Sequence, residues 1–313
     1  MGDSTSIVRP TRKKNVIPPS RLQQLEGNAI YEIRCGTFDC GCENPQAGCR
    51  RGFFSLFIQA INGIAFAKRF GLQYYVNFGH TNFAYSQPDM QDQNFWNYYF
   101  DQPIKDLRSH ENIVPNELIE TYPLRIWDSE YIRASSKIAS ELRYQDSLRK
   151  RFGSVKEDFR NQRVLGVHFR STDHPGEVAP VSIEDYFRLV DKKLNGFDRA
   201  FLATDDVSIA VKFRERYGDK LWMNDVTRSK NGRPLHQDPG LDDKYSLGLE
   251  ALIDCYSLSL CDEAILTHSN LSYSVLLFNP GIKYQLMAKP STKLKTLLTH
   301  TLYYLDKWNI RKW

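Results

Sequence analysis

The stretch Val164-Leu165-Gly166-Val167-His168-Phe169-Arg170-Ser171-Thr172-Asp173-His174-Pro175-Gly176-Glu177 decides the fold class of this chain. It opens with a short, mainly apolar run of strand length and then changes abruptly to polar, charged and turn-forming residues. In an open parallel sheet, ligands bind just beyond the carboxyl ends of the strands. Arg170 brings to such a position a planar set of donors that matches phosphate oxygens and stays charged at any working pH. The stretch therefore predicts an active-site loop that follows a strand.

Strands and helices alternate along the rest of this half of the chain. Strands are predicted at residues 199–204, 221–224, 264–267 and 283–287, and helices at residues 182–195, 207–217, 246–260 and 271–278. Ser182 and Asp185 suit a capping box at the start of the first of these helices. Helices of this length between strands imply an α/β fold with a parallel sheet and right-handed crossovers.

The first half of the chain opens with a β-α-β pattern. Strands are predicted at residues 29–34 and 72–78, and between them apolar residues recur at the spacing of one helix face over residues 52–70. The aromatic run at residues 95–100 is interpreted as a small satellite core, the alternative being a wall that stacks on sugar rings. Residues 128–159 are predicted to be helical and to connect the two halves.

Length and composition set the expected organisation. The chain has 313 residues, which exceeds the usual span of one core, so two domains are expected. The expected units are a flexible basic arm (residues 1–28), two Rossmann-like domains (residues 29–155 and 156–290) and a C-terminal amphipathic helix (residues 291–313).

The charge pattern limits the classes of partner. The net charge of +5 suits an anionic substrate, but it is far from the dense basic patches of a nucleic-acid binder. The sequence has no apolar run of membrane-spanning length and no secretion leader, so we expect a soluble cytoplasmic protein without an integral membrane segment. The basic arm is expected to provide at most a weak contact with a membrane surface.

Four of the 6 cysteines crowd one region, namely Cys35, Cys40, Cys42 and Cys49. Their C-x4-C-x-C-x6-C spacing lacks the paired C-x2-C ligands of common zinc modules, and a chain without a secretion signal is not expected to form disulfides by default. Reduced thiols are the favoured interpretation, while a zinc site and a local disulfide stay open. The other two cysteines lie on a predicted buried helix and are interpreted as core residues.

Polar side chains follow three predicted strands of the second half. The loops are residues 170–177, Thr204-Asp205-Asp206 and Thr267-His268-Ser269-Asn270. Ser269 can cap the next helix and help to present its N–H groups to an anion. Since strand-end loops of one parallel sheet share an edge, the three loops together predict a nucleotide or nucleotide-sugar pocket.

A resemblance to a known family extends over this half of the chain. Gly166-Val167-His168-Phe169-Arg170-Ser171-Thr172-Asp173 resembles the G-V-H-x-R-x-T-D segment of alpha-1,6-fucosyltransferases, which include rhizobial Nod-factor enzymes and animal core fucosyltransferases. Phe201-Leu202-Ala203-Thr204-Asp205-Asp206 is similar to the second family motif. Ala251-Leu252-Ile253-Asp254, with the loop at residues 267–270, resembles the third, and Pro234-Leu235-His236 resembles an L-H stretch between them.

The resemblance implies a GT-B fold, in which two Rossmann-like domains face each other across a cleft. It implies an enzyme, an inverting glycosyltransferase that transfers fucose from GDP-fucose to a carbohydrate acceptor without a metal or other cofactor. Residues 29–155 would be the acceptor side and residues 156–290 the nucleotide-sugar side. The sequence itself also favours a reaction without a metal ion, because the chain has no D-x-D triplet of the kind that holds a divalent ion on a diphosphate.

The resemblance also implies which residues bind the donor. The implied donor-binding residues are His168, Arg170, Thr204, Asp205, His236, Asp254, Ser269 and Asn270. Arg170 would hold the β-phosphate of the leaving group. Many family members carry a second arginine where this chain has Ser171, so the contact with the diphosphate is expected to be weaker or shared with His168, His236 or Lys244.

The loop after Arg170 also holds the candidates for the catalytic base. Glu177 is preferred, with His174 and Asp173 as alternatives, and a base that takes the proton of the acceptor hydroxyl contributes about a hundredfold to ten-thousandfold to the rate. Structural interpretations stay open: Glu177 as a solvated carboxylate, Asp173 as a partner of the loop backbone, and His168 as a satisfied core histidine. Two other functions also stay open, namely a related glycosyltransferase with a different nucleotide-sugar, and a non-catalytic nucleotide- or glycan-binding protein.

Overall fold

A computed structural model describes residues 29–35, 48–90, 92–116, 125–170 and 181–287, together with Leu294, Leu297, Leu298 and Thr301. The arm predicted at residues 1–28 and most of the helix predicted at residues 291–313 lie outside the described residues, so both stay predictions. The described ranges form an α/β protein with two parallel sheets. None of their helices is long and apolar enough to span a bilayer.

The first sheet contains β1 (Ile30–Ile33), β2 (Gln73–Val76) and β3 (Ile113–Pro115). Strand β1 lies in the centre and pairs in parallel with both neighbours. Helix α1 (Phe53–Arg69) connects β1 to β2 and confirms the predicted β-α-β unit. A Cβ on Gly63 would lie 2.8 Å from the Ile33 side chain, so the glycine allows the helix to pack closely on β1.

Two helices, α2 (Ser129–Ser140) and α3 (Asp146–Asp158), replace the single helical segment predicted at residues 128–159. Asp128 caps α2, because its Oδ1 accepts the Glu130 and Tyr131 N–H groups at 3.1 and 3.0 Å. Between the helices, Gln145 N donates to Tyr99 O at 2.9 Å, and Arg143 O accepts from the backbone N–H of residue 101 at 2.8 Å. These long-range backbone bonds replace the bonds that would continue α2.

The second sheet contains β4 (Val164–Phe169), β5 (Arg199–Thr204), β6 (Leu221–Trp222), β7 (Glu263–Thr267) and β8 (Lys283–Met287). The connecting helices are α4 (Ile183–Leu194), α5 (Val207–Tyr217), α6 (Lys244–Ser259) and α7 (Asn270–Phe278). All strand pairs are parallel, and the order is β6-β5-β4-β7-β8. Strands β5 and β6 therefore follow β4 towards one edge of the sheet, whereas β7 and β8 lie on the other side of β4.

One apolar cluster joins the two halves of the chain. It combines buried residues of the first sheet, α1, α6 and α7, whereas a second cluster lies on the opposite face of the five-stranded sheet. Trp96, Tyr99 and Phe100 are at most 2% exposed and belong to the joint cluster. Their interpretation as core is thus confirmed, but the expectation of a separate satellite core is wrong. The predicted burial of Cys255 and Cys261 is also confirmed.

Candidate functional site

The topological switch point of the second sheet lies between the carboxyl ends of β4 and β7, where ligands of open α/β sheets bind. Val167 pairs with Ile265 across this junction, and Phe169 pairs with Thr204 on the other side. The three loops singled out in the sequence therefore begin at one edge of the sheet. The structure describes the first of them only up to Arg170.

His168 links β4 to the start of α7. Its Nδ1 lies 2.7 Å from the Ser272 Oγ and 3.5 Å from the Ser269 Oγ. Burial, with the positive charge of Arg170 as a smaller cause, lowers the pKa of His168 to about 3. The imidazole is therefore neutral near pH 7, so it fixes the position of α7 and adds no positive charge to the site.

The N-terminus of α7 lies at the switch point. Ser269 caps the helix as predicted, since its Oγ accepts the Ser272 N–H at 3.1 Å. The other first-turn N–H groups have no partner within the helix, and the helix dipole favours negative charge near them. Within the described ranges, the Asn270 Oδ1 is buried without a hydrogen-bond partner. This end of α7 thus offers N–H donors for an anion.

Arg170 supplies a cation at the same edge. It is exposed directly after β4 and is close enough to lower the pKa of His168. An exposed guanidinium and a helix N-terminus at the same edge of a sheet are a suitable pair for a phosphate or diphosphate group.

The carboxyl end of β5 is covered by the segment that follows β6. Ser229 N donates to Asp205 O at 2.7 Å, and Val207 N donates to Ser229 O at 3.0 Å. Asp206 caps α5 by accepting the N–H of the second helical residue at 2.7 Å, which gives it a structural role. The buried Thr204 Oγ1 accepts the Asp206 N–H at 3.4 Å, so Thr204 also shapes this turn. Asp205 is half-buried beside the covering segment.

Asp254 of α6 is a buried carboxyl group next to this segment. The residue is 7% exposed, and its Oδ1 accepts a hydrogen bond from the Asn224 Nδ2 at 2.8 Å. Burial raises the pKa of Asp254 to about 7, although the Asn224 hydrogen bond and the Arg228 charge act in the opposite direction. A buried acid with such a pKa near a strand-end crevice is a candidate functional group.

Arg228 is the functional candidate that the sequence did not predict. Its Nη2 donates to Asn224 O at 2.8 Å and its Nη1 to Val226 O at 3.2 Å, while its Nε is buried and has no partner in the described part of the chain. It lies in the long loop at residues 225–243, but outside the Pro234-Leu235-His236 stretch that resembles the family. Only the folded chain shows that this arginine lies close enough to Asp254 to act on its charge.

The other predicted site residues lie elsewhere or outside the described ranges. The His236 ring stacks on Tyr85 with centroids 6.2 Å apart, and a Cβ on Gly52 would lie 3.8 Å from the His236 Cε1. His236 thus contacts the start of α1, and Lys244 Nζ donates to the residue 238 carbonyl at 3.3 Å. The candidate bases Glu177, Asp173 and His174 are not among the described residues, so their roles stay predictions. No group of three His, Cys, Asp or Glu side chains in the described ranges is arranged to hold a metal ion.

No protein-family profile matches the sequence, and no curated protein matches it either. Solved structures with similar shape include the fucosyltransferase NodZ from Bradyrhizobium, at 15% identity and a TM-score of 0.48, over 80% of this chain and 93% of that chain. A NodZ alpha-1,6-fucosyltransferase soaked with GDP-fucose is 13% identical, with a TM-score of 0.48, over 81% of this chain and 94% of that chain. A mutant of FUT1 from Arabidopsis thaliana in complex with GDP is 10% identical, with a TM-score of 0.40, over 87% of this chain and 74% of that chain. This level of similarity assigns no role to an individual residue, so the roles proposed below are argued from contacts within this chain.

Proposed function

We propose that this chain is a GT-B glycosyltransferase that transfers fucose from GDP-fucose to a hydroxyl of a carbohydrate acceptor, with inversion and without a metal ion. The observation that carries the proposal is the reversal of strand order between β4 and β7. Arg170 and the N-terminus of α7 lie at this reversal, and both favour a diphosphate.

The groups near β5 and β6 support a guanine nucleotide. An ionised carboxylate can accept two hydrogen bonds at once, and guanine offers two adjacent N–H donors on one edge, whereas uracil and cytosine do not. We assign this contact to Asp254, to which Asn224 donates a hydrogen bond and near which Arg228 carries a positive charge. Asp205, at the end of the second strand of this Rossmann-like unit, is assigned to the ribose hydroxyls, as acidic residues at this position are in dinucleotide-binding folds.

The proposed reaction is a single displacement at the anomeric carbon of fucose. The acceptor oxygen attacks from the face opposite the diphosphate, the bond from carbon to the β-phosphate oxygen breaks, and GDP leaves with the electron pair. Glu177 takes the proton of the acceptor hydroxyl, with His174 or Asp173 as alternatives. Arg170 and the N–H groups of α7 stabilise the negative charge that develops on the leaving phosphate, and loss of one such donor typically costs about 3–4 kcal/mol of transition-state stabilisation.

Nucleotide selectivity tests the donor assignment. A ligand that binds only the folded state raises stability by about 2.7 kcal/mol at a hundredfold excess over its dissociation constant. We expect GDP to raise the melting temperature and UDP and CDP to leave it unchanged at equal concentration. Stabilisation by UDP without stabilisation by GDP would overturn the fucose donor and favour a related transferase with another nucleotide-sugar.

Turnover tests the reaction. Release of GDP from GDP-fucose, measured with and without a panel of oligosaccharide acceptors, should be detectable for the wild-type chain. Glu177→Gln should retain GDP binding and lose acceptor-dependent release. Normal turnover in this variant would reject Glu177 as the base. GDP binding without any release under all acceptor conditions would show instead a non-catalytic nucleotide-binding protein.

A further inference from the structure

Cys35 and Cys49 lie side by side at the edge of the first sheet. The Cys49 Sγ donates to the Cys35 Sγ at 3.7 Å, across a sequence separation of 14 residues. Cys49 is buried and Cys35 is half-buried, so the pair has one side that a small reagent can reach.

The backbone at each cysteine is held by bonds that do not involve sulfur. Cys49 N donates to Asn82 O at 2.6 Å, and Ala84 N donates to Cys49 O at 3.2 Å. Next to Cys35, the Arg34 N–H donates to the Asn116 Oδ1 at 3.1 Å, and the Asn116 Nδ2 donates to Arg34 O at 2.7 Å. The surrounding backbone thus holds the two sulfurs close together, and a disulfide needs them to approach by roughly 1.7 Å.

We propose that Cys35 and Cys49 are a modification site, at which a small-molecule disulfide such as oxidised glutathione forms an intramolecular disulfide. The Cys35 thiolate attacks one glutathione sulfur, and the first glutathione leaves as a thiolate that takes up the Cys35 proton. The Cys49 thiolate then attacks the Cys35 sulfur of this mixed disulfide, and the second glutathione leaves with the Cys49 proton. Two cysteine thiols are oxidised and one glutathione disulfide is reduced. The proposal is independent of the transferase activity.

The remaining described cysteines differ from this pair in chemistry. Cys255 Sγ donates to Leu271 O at 3.7 Å, and Cys261 Sγ donates to Ser257 O at 3.5 Å. Burial raises the pKa of both thiols well above the ordinary range, so their reactive thiolate forms are scarce. They serve as internal controls for selective oxidation.

The disulfide would fix the segment that leads into α1. Cys49 precedes Gly52, the N-cap of α1, by three positions, and the first helical residue, Phe53, donates its N–H to the Tyr85 hydroxyl at 3.0 Å. Tyr85 also stacks with His236 of the second half. Oxidation would therefore add a covalent restraint next to the region where the start of α1 meets the long loop.

The experiment uses the full chain with Cys40→Ser and Cys42→Ser, which keeps Cys35, Cys49, Cys255 and Cys261. The folded variant is incubated with oxidised glutathione, denatured and alkylated with N-ethylmaleimide. Mass spectrometry of the intact protein then gives the number of alkylated thiols. We expect two alkylated thiols after oxidation and four after treatment with dithiothreitol, with a peptide that links Cys35 to Cys49. The melting temperature should rise on oxidation and return on reduction.

Controls in the same background separate the proposal from its competitors. Adding Cys35→Ser should abolish both the intramolecular bond and the rise in melting temperature, and so should adding Cys49→Ser. Four alkylated thiols after oxidation, or a peptide that links either cysteine to Cys255 or Cys261, would overturn the proposal. Stoichiometric zinc in the purified wild-type chain that protects these thiols from oxidation would also overturn it.

Discussion

The raised pKa of Asp254 predicts that its ionised form destabilises the fold, although GDP binding is proposed to need this carboxylate. Folding raises this pKa to about 7, whereas an unfolded aspartate titrates near pH 4. The folded chain thus binds more protons between these values, and the free energy of unfolding must fall as the pH rises through them. Asp254→Asn removes the titrating group but keeps the size of the side chain. The variant should therefore be more stable relative to wild type at high pH than at low pH.

The magnitude follows from the two pKa values. One pKa unit corresponds to about 1.4 kcal/mol, so full ionisation of Asp254 costs the fold about 4 kcal/mol. From about pH 5 to about pH 8, the destabilisation by ionised Asp254 increases by about 2.5 kcal/mol. His168 has the opposite effect, because its pKa is lowered to about 3 and its protonation destabilises the fold as the pH falls below its unfolded value. In wild type the contributions of Asp254 and His168 to the pH dependence of the unfolding free energy partly cancel. Both proteins contain His168, so its contribution drops out when the variant is compared with wild type, and only the contribution of Asp254 is left.

The assay is urea unfolding of wild type and Asp254→Asn at the two pH values. The difference in unfolding free energy, variant minus wild type, should increase by about 2.5 kcal/mol from the lower to the higher pH. A pH-independent change from the new amide at this position contributes equally at both pH values and does not affect the comparison. A difference that stays constant with pH would refute a raised pKa for Asp254. A carboxylate that destabilises its own fold in this way is expected where a ligand uses it, so the same variant should also lose affinity for GDP.

Further substitutions test packing and the site. Gly248→Ala places a Cβ 2.3 Å from the Tyr99 hydroxyl, so we expect a loss of about 1–3 kcal/mol in urea unfolding, and an unchanged stability would contradict the close approach. Gly153→Ala in α3 meets nothing within 4 Å and should instead stabilise the chain by up to about 1 kcal/mol, which makes it the matched control. Arg228→Lys keeps the charge but loses the two-pronged contact with Asn224 O and Val226 O, so calorimetry should show about tenfold weaker GDP binding. Wild-type affinity in that variant would remove Arg228 from the site.

Much of the second half was predictable because its signals are local. Apolar runs of strand length followed by polar turns located β4, β5 and β7, and Ser182 and Ser269 marked helix starts by their capping chemistry. Strand β3 was missed, since three residues that end in Pro115 show no periodicity. The break between α2 and α3 was missed because it depends on backbone bonds to residues 99–101, far away in the sequence.

Only the site residues that directly follow a strand could be predicted from the sequence. The edge positions of Arg170, Asp205 and Ser269 are confirmed by the sheet order, although their roles stay predictions. Arg228 could not be found, since its relation to Asp254 arises from a loop that folds back over β5. The placement of His236 beside Tyr85 likewise depends on the packing of two distant segments.

The most direct test of the central claim is calorimetric titration of GDP into wild type, Arg170→Ala and Arg163→Ala. Arg170 follows β4 at the proposed site, whereas Arg163 precedes the same strand at its opposite end and stacks on Phe197. A hydrogen bond to a charged group contributes about 1.5–3 kcal/mol, so Arg170→Ala should weaken GDP binding about tenfold to a hundredfold. Arg163→Ala should bind GDP like wild type. Equal affinity in all three proteins, or a loss only in Arg163→Ala, would contradict a diphosphate site at the carboxyl end of β4.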